Sequence, residues 1–401
     1  MTMDRRSLLA ALAAGAGSRA LAPLRARADE TATLPFGNGE RRLVAYPGKR
    51  PLLQMTARPP QLETPFAVFD EGAITPNDAF FVRYHLADIP TEIDPQAFRV
   101  AVTGHVERPL DLSLAELKAL PGWTEIAAVN QCSGNSRGFF EPRIAGGQLA
   151  NGAMGCARWT GVPLKSVLDK AGVKAGAVQV SFGGLDGPVL PETPDFAKAL
   201  PLDQANDGEV MLAWGMNGQD LPWLNGFPLR LVVPGYYGTY WVKHLNAITV
   251  LDTPFEGSWM TSAYRIPDNA CACTEPGKAP DRTVPIGRFN VRSFVTNLAD
   301  GTQVKAGRVP LRGIAFDGGS GIKAVEVSAD DGRTWSPARL GQDLGRYAFR
   351  AWTAEADLAP GPHALRVRAT GNDGGTQPME SRWNPAGYMR NVVETTRVRA
   401  A

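Results

Sequence analysis

The chain has 401 residues, of which 44% are hydrophobic and 20% are charged, and its formal net charge is +2. This length allows two or three domains, and so small a net charge excludes the strongly basic surfaces that bind nucleic acid or anionic membranes. With 43 Gly and 32 Pro, the sequence predicts many turns and more strands than long helices.

The N-terminus has the features of an export signal. An arginine pair, Arg5 and Arg6, precedes a short apolar stretch, and Ala26-Arg27-Ala28 follows as a small-residue cleavage site. This pattern is typical of twin-arginine signals, and its apolar stretch is too short to span a bilayer. We therefore predict a signal peptide over residues 1–28, no membrane span and a periplasmic mature protein. Its removal leaves 37 Lys and Arg against 39 Asp and Glu, a net charge of −2.

The next 250 residues predict a mixture of α and β structure. Residues 29–75, rich in Pro and basic side chains, are predicted to form an extended lead-in. A capping box opens a short helix at Ser113, and a second helix is predicted over 163–171. Alternating or β-rich runs predict strands over 98–106, 178–182, 210–214 and 229–233. Because βαβ units do not alternate regularly, a Rossmann sheet is not expected.

The character of the sequence changes near residue 286. Strand-like runs over 309–316, 322–328 and 364–369 are separated by Gly-rich turns. Regularly spaced short strands of this kind predict an immunoglobulin-like β-sandwich of about 100 residues. We therefore predict a first domain over 29–285, with 276–285 as the connection, and a sandwich over 286–401.

Few residues carry obvious chemistry. The sequence contains no Walker A motif, no G-x-G-x-x-G after a strand, no H-E-x-x-H and no C-x-x-C-H, so nucleotide, zinc and covalent haem sites are not expected. The four cysteines do not form a disulfide framework, and Cys271-Ala272-Cys273 is predicted to be surface structure. Cys132 differs because it lies in a polar loop, five residues before Arg137. The residue types leave three roles open: a soft metal ligand, a nucleophile or a buried unreactive thiol.

Two other clusters contain cationic residues. Arg83 and His85 alternate within residues 81–85, so on a strand they would face the same side. By itself this pattern also fits a surface strand. Residues 225–230 and 241–244 combine Gly, Arg and Lys as phosphate cradles do, but each segment alone is a weak signal.

Together these segments resemble the sulfite oxidase family of molybdopterin enzymes. The stretches 130–138 and 152–172 are similar to the molybdenum-centre segment of that family, and the resemblance extends over residues 65–400. Further similar segments are 80–85, 184–187, 212–235, 241–245 and 383–391. The resemblance implies an α+β fold, in which a mixed α/β molybdopterin-binding domain precedes an immunoglobulin-like β-sandwich. In many members the sandwich forms the dimer contact, so an oligomer is expected.

The resemblance also implies roles for individual residues. Cys132 matches the molybdenum ligand, and Arg83, Arg137, Tyr264 and His85 match positions of the substrate pocket. The positions expected to bind the pterin and its phosphate are Phe81, Arg83, Tyr84, His85, Ser133, Asp186, Asn225, Arg230, Trp241 and Lys243. Asn225 replaces a His that animal members often carry, and Leu149 replaces a Trp.

The activity implied is oxidation of sulfite to sulfate by molybdenum bound to one molybdopterin. Because the chain has no haem-attachment motif, the electrons are expected to pass to a separate c-type cytochrome or to a tightly bound haem subunit. Two alternatives stay open. One is the sulfane dehydrogenase subunit of a thiosulfate-oxidising complex, which shares the cofactor and fold, and the other is a binding module without cofactor.

Overall fold

The structure is a computed structural model that describes residues 30–401, so the predicted signal peptide lies outside the described residues. Strands of the first domain are β1 Thr31–Thr33, β2 Glu40–Val44, β3 Leu52–Thr56, β4 Gln61–Glu63, β5 Val82–Arg83, β6 Arg99–Gly104, β7 Leu110–Ser113, β8 Thr124–Gln131, β9 Met154–Pro163, β10 Gln179–Gly184, β11 Ala197–Pro201, β12 Met211–Met216, β13 Gln219–Asp220, β14 Arg230–Val232, β15 Leu245–Leu251, β16 Arg265–Pro267 and β17 Thr283–Pro285.

Strands of the second domain are β18 Arg292–Val295, β19 Thr302–Val304, β20 Gly307–Phe316, β21 Ile322–Ser328, β22 Ser336–Pro337, β23 Arg339–Leu340, β24 Arg350–Leu358, β25 Gly361–Gly371 and β26 Glu394–Ala400. The α-helices are α1 Leu114–Lys118, α2 Leu164–Ala171, α3 Leu202–Ala205 and α4 Ser258–Thr261. Short 3₁₀ turns occur at Phe66–Asp70, Arg137–Phe139, Trp223–Asn225 and Gly238–Tyr240. Among residues 30–401, no helix has both the length and the apolar character needed to cross a bilayer.

The first domain contains three larger sheets and a two-stranded sheet formed by β16 and β17. Strands β1 to β5 form an antiparallel meander, and the second sheet has the order β11-β10-β15-β6-β7, with only β15 and β6 parallel. The third has the order β13-β12-β9-β8, with β14 also paired to β12. Residues 127–131 of β8 and seven of the ten residues of β9 are buried, so both faces of the sheet are covered there. These two strands hold the segment that follows β8 in a fixed position.

The predicted helices form for the expected reasons. Ser113 accepts a hydrogen bond from the Glu116 N–H, and the Glu116 side chain accepts one from the Ser113 N–H, which completes the capping box of α1. Helix α2 buries Leu164, Val167 and Leu168 and ends at Gly172, whose φ of +71° suits a left-handed cap.

The second domain is a two-sheet sandwich, as predicted. Its sheets have the orders β18-β20-β24-β23 and β19-β26-β25-β21-β22. The two domains share one apolar core, because Phe349 of the sandwich packs edge to face on Phe69 of the first domain with ring centroids 5.9 Å apart. The Arg312–Asp70 ion pair also crosses this boundary, at 2.6 Å.

One local prediction was wrong, and two further features were not predicted. Residues 29–75 are not an extended lead-in, because they supply β1 to β4, and β4 pairs with β5 through Leu62 opposite Val82. The predicted connection 276–285 ends in β17, which pairs with β16. Cys271 and Cys273 form a disulfide with Cα atoms 5.1 Å apart, a pairing that the composition did not predict. Partners distant in the chain decide the two strand pairings.

Candidate active site

Cys132 is the first residue after β8 and is held by its backbone. Its N–H donates to the carbonyl of Ala153 at 2.9 Å, and its carbonyl accepts the N–H of Asn135 at 3.0 Å. The Asn135 side chain in turn accepts the Ala153 N–H at 3.0 Å. The thiol is half-buried, whereas Cys156 is fully buried. The structure therefore places Cys132 in a rigid turn rather than in an apolar core.

Two neighbouring spaces meet at this thiol. The walls of the inner cavity come from the loops after β5, β8 and β10 and from segments 224–243. The outer pocket is lined by residues of the Cys132 loop, of 145–149 and of 386–388 in the sandwich. Three residues line both spaces: Arg83, Cys132 and Tyr264. They form the boundary between the inner cavity and the outer pocket.

The boundary residues are connected by hydrogen bonds. Nη2 of Arg83 donates to the Tyr264 hydroxyl at 3.2 Å, and Nε2 of His85 shares a hydrogen bond with the same hydroxyl at 2.6 Å. Burial, followed by the charges of Arg83, Lys243 and Lys198, keeps the pKa of His85 well below its usual value, so the ring is neutral near pH 7. Burial also raises the pKa of Tyr264. Tyr264 therefore remains a phenol that can donate or accept a hydrogen bond.

The backbone of Tyr264 is unusual for an aromatic residue. Its φ is +57°, a left-handed conformation that costs about 1–3 kcal/mol outside glycine. The conformation is maintained by the Ile286 N–H, which donates to the Tyr264 carbonyl at 2.8 Å, and by the Tyr388 ring, which stacks on it with centroids 5.4 Å apart and planes 4° apart. Such strain is found where the surrounding structure must aim one side chain.

Arg137 lies on the outer side of the boundary. Its guanidinium packs over Gly134, where an added Cβ would be 2.7 Å from Nη2. Its Nε donates to the Ala386 carbonyl at 3.1 Å, and its Cζ lies 5.2 Å from the centre of the Tyr388 ring. Glycine at 134 is therefore required for this close approach. The sandwich domain thus orients a cation of the outer pocket.

The inner cavity is strongly cationic. Arg230 and Lys243 line it together with Arg83, and Asp186 is the only carboxylate among the residues that line it. Arg230 donates to the Asn225 carbonyl at 2.9 Å, and its guanidinium carbon lies 4.8 Å from the ring centre of Trp159 and 5.5 Å from that of Trp241. Burial lowers the pKa of Arg230 to about 9. Placing this much buried positive charge is costly unless an anion shares the site.

Unpartnered polar atoms also face this space. In the described part of the chain, Asn130 Oδ1, Ser133 Oγ, Arg230 Nε and Thr239 Oγ1 are buried without a hydrogen-bond partner, and all four residues line the inner cavity. Folded proteins leave few buried polar groups unpaired. The cavity therefore has the donor and acceptor groups of a binding site for a polar, anionic molecule.

The cationic environment leads to a prediction about pH. Burial lowers the pKa of Lys49, Lys198 and Lys243 from 10.5 to about 7. Between pH 7 and pH 10.5 these lysines are protonated in the unfolded chain but largely deprotonated in the folded chain. The free energy of unfolding of cofactor-free protein should therefore rise with pH across this window, by at most about 1.4 kcal/mol per pH unit for each lysine. Urea unfolding at several pH values measures this slope.

Lys49→Met provides the test of that explanation. Lys49 does not line the inner cavity, and its Nζ donates to Asn225 Oδ1 at 2.5 Å and to the Phe80 carbonyl at 3.0 Å. We expect this variant to have a shallower slope of unfolding free energy against pH. An unchanged slope would show that Lys49 does not contribute to it.

The structure brings most of the predicted residues together. Those that line the inner cavity are Phe81, Arg83, His85, Cys132, Ser133, Asp186, Asn225, Arg230, Trp241, Lys243 and Tyr264. Arg137 lines only the outer pocket, beside Leu149. Tyr84 lines neither space, because its hydroxyl is bonded to His244 Nε2 at 2.7 Å and the Lys243 ammonium lies 3.9 Å from the centre of its ring. His85 follows the end of β5 rather than lying on it.

Several residues of the site were not predicted. Phe196, Thr239 and Asn130 line the inner cavity, and Tyr388 lines the outer pocket. Lys198 is fully buried, with its ammonium 5.1 Å from the Tyr264 ring centre. A lysine within the apolar run 196–202 was a signal that could have indicated this buried cation. No local pattern marks the others.

Known proteins share both parts of the chain. Residues 86–259 match the family described as oxidoreductase molybdopterin binding domain, and residues 283–400 match the Mo-co oxidoreductase dimerisation domain. The chain is 34% identical over 365 residues to mitochondrial sulfite oxidase of Homo sapiens, covering 86% of this chain and 65% of that protein. It is 33% identical over 366 residues to sulfite oxidase of Gallus gallus, covering 87% and 77%. The chain thus spans about two thirds of the human protein's length.

A solved structure shows the same arrangement. The crystal structure of the sulfane dehydrogenase SoxCD from Paracoccus pantotrophus superposes with a TM-score of 0.73 at 26% identity, over 91% of this chain and 87% of that chain. These similarities confirm the predicted fold, a molybdopterin-binding domain followed by an immunoglobulin-like domain, with few helices.

Proposed function

Because the chain belongs to the sulfite oxidase family of molybdopterin oxidoreductases, we propose that it oxidises sulfite to sulfate. The observation that carries this proposal is the boundary formed by Cys132, Arg83 and Tyr264. It separates a cavity suited to a large anionic cofactor from a cationic pocket suited to a small oxyanion. The balanced reaction is sulfite plus water giving sulfate, two protons and two electrons.

The residues present fit a molybdenum–molybdopterin cofactor. Arg230, Lys243 and Asn225 would hold the pterin and its phosphate, and the unpartnered atoms of Ser133 and Thr239 supply further polar contacts. Cys132 would be the protein ligand of the metal, since thiolate is a soft ligand. When bound, the cofactor supplies oxygen-atom transfer and accepts two electrons.

The outer pocket would bind sulfite through its arginines. Guanidinium groups present paired N–H donors that match the oxygens of an oxyanion, and Arg83 and Arg137 both line this space. Neutral His85 and the Arg83 guanidinium both hydrogen-bond to the Tyr264 hydroxyl, and these bonds fix the position of Arg83 in the pocket. Fixed donors of this kind stabilise charge without having to reorganise during the reaction.

A second candidate is sulfane dehydrogenase activity. It is favoured by the similarity to the SoxCD structure over 91% of this chain. The two activities differ in substrate, because sulfane oxidation would use a sulfur atom bound to a carrier protein. Steady-state rates with free sulfite and with a carrier-bound sulfane decide between them. A cofactor-free binding module is disfavoured by the four unpartnered polar atoms that face the inner cavity.

The location and the acceptor are part of the proposal. The Arg5-Arg6 signal supports export of the folded protein to the periplasm. The sequence has no C-x-x-C-H motif, which supports transfer of the electrons to a separate c-type cytochrome, either soluble or a bound haem subunit. The match to a dimerisation domain supports an oligomer formed through the sandwich.

One experiment tests the central proposal. The chain is purified from cells with and without pterin synthesis, and molybdenum content is measured beside sulfite-dependent reduction of a small dye and of cytochrome c. We expect equimolar molybdenum and sulfite-dependent reduction only in the first preparation. Molybdenum-loaded protein that does not oxidise sulfite but oxidises a carrier-bound sulfane would establish the second candidate instead.

A further inference from the structure

An exposed apolar patch lies in the loop that follows β10. Leu185, Val189 and Leu190 are exposed by 39%, 54% and 53%. Within residues 30–401 the only other large apolar side chains so exposed are Trp123, Val178 and Met379, which are scattered along the chain. Single exposed apolar residues are ordinary, but three within six positions form a cluster that needs an explanation. We call these three residues the apolar patch.

The patch lies directly outside the inner cavity. Asp186, between Leu185 and Val189, lines that cavity. The loop continues to Phe196, which also lines the cavity and stacks on His85 with ring centroids 3.7 Å apart. Leu185 is therefore exposed on the surface, while its neighbour Asp186 is part of the cavity wall. A partner seated here would contact a loop that also supplies residues of the cavity wall.

A second loop borders the patch. Residues Asp88 and Gly187 pair as an isolated antiparallel bridge, with backbone N–H to carbonyl distances of 3.1 and 2.7 Å. The same second loop is tied to the cavity wall by the indole of Trp223, which donates to the Pro90 carbonyl at 2.9 Å. These bonds fix segments 86–98 and 184–197 side by side.

The two loops carry charge of one sign. Together they contain six acidic residues and no Lys or Arg, although the whole chain has a net charge of +2. Five of the six are exposed and form no ion pair in the described structure: Asp88, Glu92, Asp94, Glu192 and Asp195. We call these five residues the acidic rim. An apolar centre with a charged rim is the arrangement found at protein interfaces.

From this arrangement we propose that the apolar patch and its acidic rim are the docking site of a soluble one-electron redox protein with a basic face. The inference rests on the proposed function, because that reaction releases two electrons for each sulfite. One acceptor molecule takes one electron, so two must dock and leave in each turnover. Small interfaces with complementary charge suit such short-lived encounters, since the charge accelerates association without making the complex long-lived.

Direct binding tests the docking site independently of catalysis. Affinity of the holoenzyme for a lysine-rich cytochrome c is measured by titration at low ionic strength, for wild type and for the double variant Glu92→Lys/Glu192→Lys. We expect the variant to bind about tenfold or more weakly and to lose much of its salt dependence. An acidic cytochrome c should show the opposite order, binding the variant better than the wild type.

A matched control keeps the change in net charge constant. Glu355→Lys/Asp357→Lys alters two exposed acidic residues of β24 in the sandwich, and their pairing with Arg308 is exposed. This control should bind the lysine-rich cytochrome c like the wild type. Equally weakened binding in both double variants would mean that only total charge matters, and it would overturn the docking site. Unchanged affinity of Glu92→Lys/Glu192→Lys would also overturn it. The same conclusion would follow if the wild type did not bind the cytochrome.

Turnover then separates the two proposals. With a small uncharged dye as acceptor, all variants should oxidise sulfite at the wild-type rate, while with lysine-rich cytochrome c Glu92→Lys/Glu192→Lys should show a raised KM and the Glu355→Lys/Asp357→Lys control should not. Val189→Ser/Leu190→Ser should raise that KM without changing its salt dependence, because it removes apolar contact and no charge. A wild type that binds the cytochrome but oxidises no sulfite would contradict the proposed function and leave the docking site standing.

Discussion

We expect Cys132→Ser to abolish sulfite oxidation, with a loss in kcat of more than about a thousandfold. Mutation of a residue that only supports a metal ligand already costs about 10–100-fold, and loss of the ligand itself should cost more. A hydroxyl is also a harder and less acidic ligand than a thiol. Activity, molybdenum content and pterin content should be measured together, because Arg230 and Lys243, the proposed pterin-binding residues, remain in the inner cavity of this variant.

The other free cysteine provides the control. Cys156 is fully buried, its sulfur lies 3.5 Å from the Phe349 nitrogen, and burial raises the pKa of its thiol to about 12. Cys156→Ala should lower the melting temperature but keep the activity of the folded fraction. If Cys132→Ser retained wild-type turnover with a full load of molybdenum, the assignment of the metal ligand would be wrong.

Arg83→Gln should lower kcat/KM for sulfite by about 100–1,000-fold, which corresponds to roughly 3 kcal/mol. Arg83 is the one cation that lines both the inner cavity and the outer pocket and also donates to Tyr264. Glutamine removes the charge and one of the paired donors while keeping much of the length. Steady-state kinetics over a range of sulfite concentrations measure the effect.

Two further variants identify the origin of that loss. Arg83→Lys keeps the charge but not the paired N–H groups, so we expect it to recover only part of the activity. Arg137→Gln should mainly raise KM, because Arg137 lines only the outer pocket and already donates to Ala386. Equal effects on kcat and KM in Arg83→Gln and Arg137→Gln would show that the two arginines are equivalent, contrary to the geometry.

Sequence reasoning reached those parts of the candidate site in which the residues are close together in the chain. The Cys132 loop follows a buried strand, and its Gly134 and Arg137 contact each other within the same turn. Capping and glycine signals predicted helices α1 and α2 for similarly local reasons. Grouping Cys132, Arg83 and Arg230 into one site required the family resemblance, because no spacing in the chain relates them.

The errors have one physical cause in common. Residues 29–75 lack strong periodicity, yet β4 forms because β5 offers it unpaired backbone groups. Tyr84 was expected to contact the cofactor. Its hydroxyl is instead hydrogen-bonded to His244, and its ring lies against the Lys243 ammonium. In each case a partner far along the chain decided the outcome.

The amino-acid sequence by itself determined the number and order of the domains that we predicted, the helix ends and the rigid loop that presents Cys132, because these depend on composition and on neighbours within a few residues. Only the tertiary structure decided that Tyr388 of the sandwich stacks on Tyr264, that Lys198 lies beneath the same ring and that acidic loops border the apolar patch. Such contacts arise when sheets pair and pack. These contacts are stabilised by side chains that are tens to hundreds of residues apart in the sequence, so no local pattern predicts them.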